Sequence, residues 1–193
     1  MPGLSLWLSP SPESTIYASL EMLIANLSDK FYSGHAPKFV PHITITSGIP
    51  FDTNAESVVA YAASILTESI ELTILKIDYG PAYFKKIFLR VEKTSGLTKL
   101  ARESRRKYVL QQTLDNEAAE KEAIKWEIED YDPHISLVYT EEWPVHDQKR
   151  LLVEKTVEAN LKESSTSWTG GRLSLYETIG PADQWKLKAY KDL

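Results

Sequence analysis

Pro41-His42-Ile43-Thr44-Ile45 and Pro133-His134-Ile135-Ser136-Leu137 repeat one pattern 92 positions apart. Each puts a histidine at the head of an apolar, β-forming run with a small hydroxyl residue two positions on. Strand side chains alternate between faces, so His42 and Thr44 share one face, as do His134 and Ser136, while Ile43 and Ile135 turn to the core. Two imidazole–hydroxyl pairs facing each other across a cleft supply a general acid, a general base and two donors for anionic oxygens. That is the equipment of a metal-independent phosphoryl-transfer site. Either motif alone is an ordinary strand histidine. The pair stands out because the flanks repeat too, and because it uses two of the chain's four histidines.

The elements that must position these residues follow from periodicity. Leu4 to Leu8 reads as a strand, and Ser11-Pro12 as the start of an amphipathic helix carrying Ile16, Leu20, Leu23, Ile24, Leu27 and Phe31. The first motif strand follows, then a helix opened by the capping-box sequence Thr53-Asn54-Ala55-Glu56. A hairpin is predicted from Glu71–Tyr79 and Tyr83–Glu92, turning at Gly80-Pro81. Next come a helix over Leu97–Leu110 with Lys99, Arg102 and Arg106 on one face, and an acidic stretch from Asp115 to Asp132 that is a charged helix or a mobile connection. The second motif strand leads to a helix from Trp143-Pro144 to Lys162, and two alternating strands close the chain. The order makes the second half a loose repeat of the first. It predicts an α+β fold spanning 1–193 as one two-lobed domain.

Composition narrows the class. At 193 residues the chain can bury a sizeable core, and its 25% charged and 42% hydrophobic residues are those of a soluble globular protein. A net charge of −5 argues against a protein that coats nucleic acid. There is no cysteine, which removes disulfides, thiolate metal sites and a cysteine nucleophile. The N-terminal residues lack the basic and apolar regions of a signal peptide, and no stretch approaches membrane-spanning length, so an intracellular, soluble protein is expected. Walker, dinucleotide-binding, His-Glu-x-x-His and Gly-x-Ser-x-Gly signatures are absent.

The two motifs, together with Leu4-Ser5-Leu6-Trp7-Leu8, Phe39-Val40 before the first and Tyr83-Phe84-Lys85-Lys86-Ile87 between them, resemble the 2H phosphoesterases, and within them the fungal and plant cyclic phosphodiesterases. The resemblance implies two similar lobes, each an antiparallel sheet with helices outside, and a cleft between. It implies hydrolysis of nucleoside 2′,3′-cyclic phosphates to 2′-phosphates, and of ADP-ribose 1″,2″-cyclic phosphate, a by-product of tRNA splicing, to ADP-ribose 1″-phosphate. His42 and His134 are then the acid–base pair, with His134 favoured as base and His42 as acid, and Thr44 and Ser136 contact the phosphate. Trp7 and Tyr139 match positions whose aromatic rings hold the base. For Trp7 the competing role is core packing. Tyr139 needs a bulge, since strict alternation turns it away from His134. Lys85 is a further phosphate contact, and His35 and His146 receive no role.

The partner is therefore a small cyclic phosphate, with no cofactor, no metal, no membrane and no extended nucleic acid, and the protein is expected to be a monomer. Two alternatives remain. One is an enzyme acting on cyclic phosphate at RNA 3′ ends, supported by Arg102, Arg105 and Arg106. The other is a noncatalytic nucleotide- or RNA-binding module that kept the pocket.

Overall fold

The apolar alternation that marks the strands becomes one face of a sheet. Leu4, Leu6, Leu8, Ile43, Ile45, Ile135, Leu137, Leu173 and Leu175 are all almost fully buried, and each such side chain contributes roughly 1.5–3 kcal/mol. The computed structural model describes residues 3–162 and 165–193. Its strands are β1 (Leu4–Ser9), β2 (Ile43–Ile49), β3 (Glu71–Tyr79), β4 (Ile87–Val91), β5 (His134–Val138), β6 (Ser167–Thr169), β7 (Arg172–Glu177) and β8 (Lys186–Asp192). The helices are α1 (Thr15–Tyr32), α2 (Ala55–Ile65), α3 (Ser95–Tyr108), α4 (Asn116–Glu129) and α5 (Asp147–Leu161). The sheet order is β6-β3-β4-β5-β2-β1-β7-β8, and the pairings are antiparallel.

The two motif strands, β2 and β5, are the central neighbours, joined by a single paired position, Ile43 opposite Ile135. That sparse seam divides the sheet into two four-stranded lobes. The lobes are not the two halves of the sequence. β1-α1-β2 is mirrored by β4-α3-α4-β5, but the chain then crosses over: β3, which follows β2, pairs with β4, and β7, which follows β5 after the short β6, pairs with β1. Helices brace the seam from behind, because α1 packs on β5 and α3 on β2, each reaching the other lobe's motif strand.

Several boundaries move from their expected places. Ser14, not Ser11, caps α1, its hydroxyl accepting from the Tyr17 amide. Asn54, one residue past the expected cap, accepts from the Ser57 amide at 2.8 Å to open α2. The acidic stretch folds as α4, capped by Asp115. α5 begins at Asp147 rather than at Trp143-Pro144. The larger difference lies in the predicted hairpin, where Tyr83–Lys85 form a single 3-10 turn and β4 starts only at Ile87. Gly80 makes that turn possible, since a Cβ there would sit 2.6 Å from the Lys85 carbonyl oxygen. Lys86 fastens it: its side chain is buried, and Nζ donates to the Pro81 carbonyl at 2.8 Å while lying over the Trp143 ring. Of the basic face of α3, Lys99 is exposed, but the arginines are not open surface. Arg102 pairs with Glu103 and Glu127, Arg106 with Glu103 and Glu120, and Arg105 lies over Trp126, so α4 covers it with carboxylates and an indole.

Candidate active site

The polar face of the sheet opens into a cavity of about 350 Å³ whose walls include Trp7, His42, Thr44, Phe84, Lys85, His134, Ser136, Tyr139 and Trp185. Both motifs therefore meet in one cleft. Their adjacency comes from the seam, since pairing Ile43 with Ile135 sets the two histidines, each one residue earlier on antiparallel strands, at opposite ends of a short cross-strand step.

The imidazoles are held alike. His42 Nδ1 lies 2.6 Å from the Val40 carbonyl and His134 Nδ1 2.7 Å from the Asp132 carbonyl, in each case two residues back. A carbonyl only accepts, so Nδ1 carries a hydrogen in both rings. Nε2 is then the atom of each ring that gains or loses a proton. Burial pushes His42 down to about 4, the hydrogen bond to Val40 opposes this, and repulsion from a protonated His134 adds to it. Burial also lowers His134, helped by the charges of Lys85 and Arg90 and opposed by the Asp132 carbonyl and carboxylate. Their aromatic settings differ. His42 is stacked on Trp7 with ring centroids 3.7 Å apart, whereas His134 meets the Phe88 ring edge-on at 5.3 Å.

The hydroxyls differ as well. Thr44 lines the cleft, and its hydroxyl has no hydrogen-bond partner among the described residues. Ser136 donates its proton to the Phe84 carbonyl at 2.7 Å, tying β5 to the 3-10 turn. Lys85, on the same turn, reaches the cleft wall while its ammonium is paired with Asp132. Arg90 binds both oxygens of Asp132 through Nη1, at 2.9 and 3.0 Å, and Asp78 through Nε at 2.6 Å. Burial pushes the Asp132 carboxyl up, but the hydrogen bonds and charges of Lys85 and Arg90 outweigh it and hold it below its ordinary range.

The aromatic positions resolve in detail. β5 carries an irregularity where Ile87 pairs with Val138 but Phe88 with Ser136, so one extra residue separates the two pairs. This is the bulge that Tyr139 needs, and the ring lines the cleft with His134 and Ser136. Tyr139 is only 3% exposed and stacks on Phe39 at 3.9 Å. Trp7 is only 2% exposed, with His42 on one face and Tyr176 on the other. It is thus both core and cleft wall. The exposed ring at the rim is Phe84, 55% exposed, edge-on to Tyr83 at 4.8 Å and Tyr139 at 5.2 Å and 6.0 Å from the half-buried Trp185. Neither Phe84 nor Trp185 stands out by motif in the sequence; for Phe84 the signal is its place between Tyr83 and Lys85. Ser5, Ser47 and Thr178 complete the wall. His35 and His146 lie outside it, His146 at the N-terminus of α5.

The model of the family described as cyclic phosphodiesterase-like protein matches residues 1–193. The chain belongs to that family. This cyclic phosphodiesterase is 36% identical over 202 residues to the 2′,3′-cyclic-nucleotide 3′-phosphodiesterase of Phaeosphaeria nodorum, with all of both chains covered. It is 31% identical over 217 residues to the enzyme of the same name from Yarrowia lipolytica, covering 98% of this chain and 99% of that one. Among solved structures it shares the fold of E. coli LigT, with a TM-score of 0.58 for the apo form at 13% identity, covering 100% of this chain and 97% of the other. LigT complexed with 3′-AMP gives 0.55 at 14% identity, covering 100% and 98%. The chain thus has the α+β architecture of LigT, built on an antiparallel sheet. No helix among its described residues is long and apolar enough to cross a membrane.

Proposed function

We propose that this cyclic phosphodiesterase opens nucleoside 2′,3′-cyclic phosphates to nucleoside 2′-phosphates, and ADP-ribose 1″,2″-cyclic phosphate to the 1″-phosphate, through His42 and His134 and without a metal ion. One observation carries the reading: both imidazoles line one cleft with Nδ1 engaged by a backbone carbonyl, so each has a single nitrogen with which to exchange protons there. His134 Nε2 takes a proton from water as its oxygen attacks phosphorus. The P–O3′ bond breaks, and His42 Nε2 gives its proton to the leaving oxygen. Thr44 and Ser136 donate to the nonbridging oxygens as charge builds.

The two halves of the cleft differ in charge. At His134 the cations of Lys85 and Arg90 disfavour an imidazolium while the Asp132 carboxylate favours one. The Trp7 indole stacked on His42 offers a π-face to an imidazolium, and the anionic phosphate, once bound, offsets its desolvation. Phe84 and Trp185 at the rim suit a nucleobase. Among the described residues no group of three or more His, Asp or Glu side chains is arranged to hold a metal. The pairing of Arg102 and Arg106 with α4 leaves the RNA-end alternative without its basic track. The test is turnover of a 2′,3′-cyclic mononucleotide by purified protein in excess chelator, with the product identified by phosphorus NMR. A 2′-phosphate is expected. Binding without turnover, or turnover lost to chelator, overturns the proposal.

A further inference from the structure

We infer that Arg90 is a positioning residue for the second motif, keeping Asp132 paired so that Lys85 can leave that carboxylate for the substrate phosphate. The inference rests on the cyclic-phosphate reading above. Arg90 stands directly opposite His134 in the β4–β5 register, on the same face. Its guanidinium joins Asp132 to Asp78, and with Lys85 these four residues form a chain of two cations and two anions. Only Lys85 of the four lines the cleft.

The geometry assigns the parts. Asp132 supplies the carbonyl that orients His134, so whatever fixes its side chain also steadies the imidazole. A lysine is a flexible point charge, while an arginine fork holds a carboxylate in a fixed plane. When a phosphate enters, it competes for Lys85, and Asp132 would be left an unpaired anion beside the base were Arg90 not already bonded to both its oxygens. The same 3-10 turn carries the Phe84 carbonyl that now takes the Ser136 proton, so substrate competes for two bonds of one turn. The His42 half has nothing equivalent, since its orienting carbonyl belongs to Val40.

The experiment is a double-mutant cycle on the full chain with Lys85→Met, Arg90→Gln and the pair, measuring kcat and KM for a 2′,3′-cyclic mononucleotide against pH. Lys85→Met should raise KM roughly tenfold or more, as for losing a hydrogen bond from a charged group. Arg90→Gln should cost a similar factor in kcat/KM, and in that background Lys85→Met should cost less than about twofold, because Lys85 is already retained by Asp132. The limb of the pH profile that belongs to His134 should move to higher pH in Arg90→Gln. The charged and titratable groups facing His134 are Arg90 on β4, Lys85 on the turn, Asp132 before β5 and His42 just before β2, and the substitution removes one cation from them. Arg90→Lys, which keeps the charge, should leave that limb in place while recovering only part of the efficiency, and it carries the test should Arg90→Gln fold poorly. Multiplicative effects of the two substitutions, an unmoved limb, or wild-type kinetics in Arg90→Gln overturn the inference while leaving the catalytic reading intact. Absence of turnover by the unmodified protein overturns both.

Discussion

The two motifs are nearly identical as sequence and unlike as environments. His42 is walled in by Trp7 and, among the described residues, hydrogen-bonds to the main chain alone, with the free hydroxyl of Thr44 beside it. His134 sits against a chain of four charged residues, and its companion Ser136 is already committed to the Phe84 carbonyl. A duplicated His-x-Thr/Ser element therefore does not yield two equivalent environments. The local pattern fixes the tautomer and the shared face of each pair, and in the proposed mechanism the neighbours would divide the labour between a proton donor and a proton acceptor.

The strongest way to break this comparison is to remove one imidazole at a time. His42→Ala and His134→Ala should each lower kcat by roughly 10²- to 10⁴-fold with the fold retained, and the double variant should be little worse than the poorer single one, because an acid and a base acting in one step are not additive. Steady-state kinetics with circular dichroism checks this. Near-normal turnover in either variant would end the paired mechanism.

pH dependence sharpens it. With His42 at about 4, the fraction of free enzyme protonated there at pH 7 is about 10⁻³, from three pH units of separation. Since one ring must be protonated while the other stays neutral and both are lowered by burial, kcat/KM should rise as pH falls through neutrality and decline again only in acid, where both rings are protonated. The bound phosphate anion raises both imidazoles, so the kcat profile should lie at higher pH than that of kcat/KM. Coincident profiles would mean that substrate charge does not set the protonation of the pair.

The hydroxyls should lose less. Thr44→Val and Ser136→Ala are each expected to cost roughly 10- to 1000-fold, mainly in kcat, with Thr44 the greater loss because Ser136 must first give up an existing hydrogen bond. Ser136→Ala also leaves the Phe84 carbonyl unpaired, which should lower stability by about 1 kcal/mol in denaturant titration, while Thr44→Val should not. Phe84→Ala should act mainly on KM, by roughly fivefold or more, the scale of one lost base–aromatic stack. Smallest of all, neutralising Arg102, Arg105 and Arg106 should change turnover of a cyclic-ended oligonucleotide less than about twofold, since their partners are on α4, and lengthening such a substrate should improve efficiency less than about tenfold. A gain of several hundredfold that those substitutions abolish would favour the RNA-end activity.

Much of this molecule was decided by the sequence alone. Period-2 alternation set which residues of each motif face the cleft and which face the core, and the helical stripes of α1 to α3 lie where their apolar spacing puts them, because burial of a regular face is a local, repeating demand. The repeated motif was likewise readable as two imidazole–hydroxyl pairs facing one cleft. What the tertiary structure decided depends on contacts between distant segments. The lobes exchange β3 and β7, so a repeat in sequence is not a repeat in space. The 3-10 turn over Tyr83–Lys85 replaces a strand because Gly80 permits the close approach and buried Lys86 anchors it, and neither reason is visible in strand propensity. The bulge that brings Tyr139 into the cleft belongs to the register between β4 and β5. The charge on α3 looks like a ligand for phosphate only until α4 supplies its carboxylates. Residue type and spacing set what each side chain can do; which proton, which anion and which neighbour it meets was set by packing across the seam between β2 and β5.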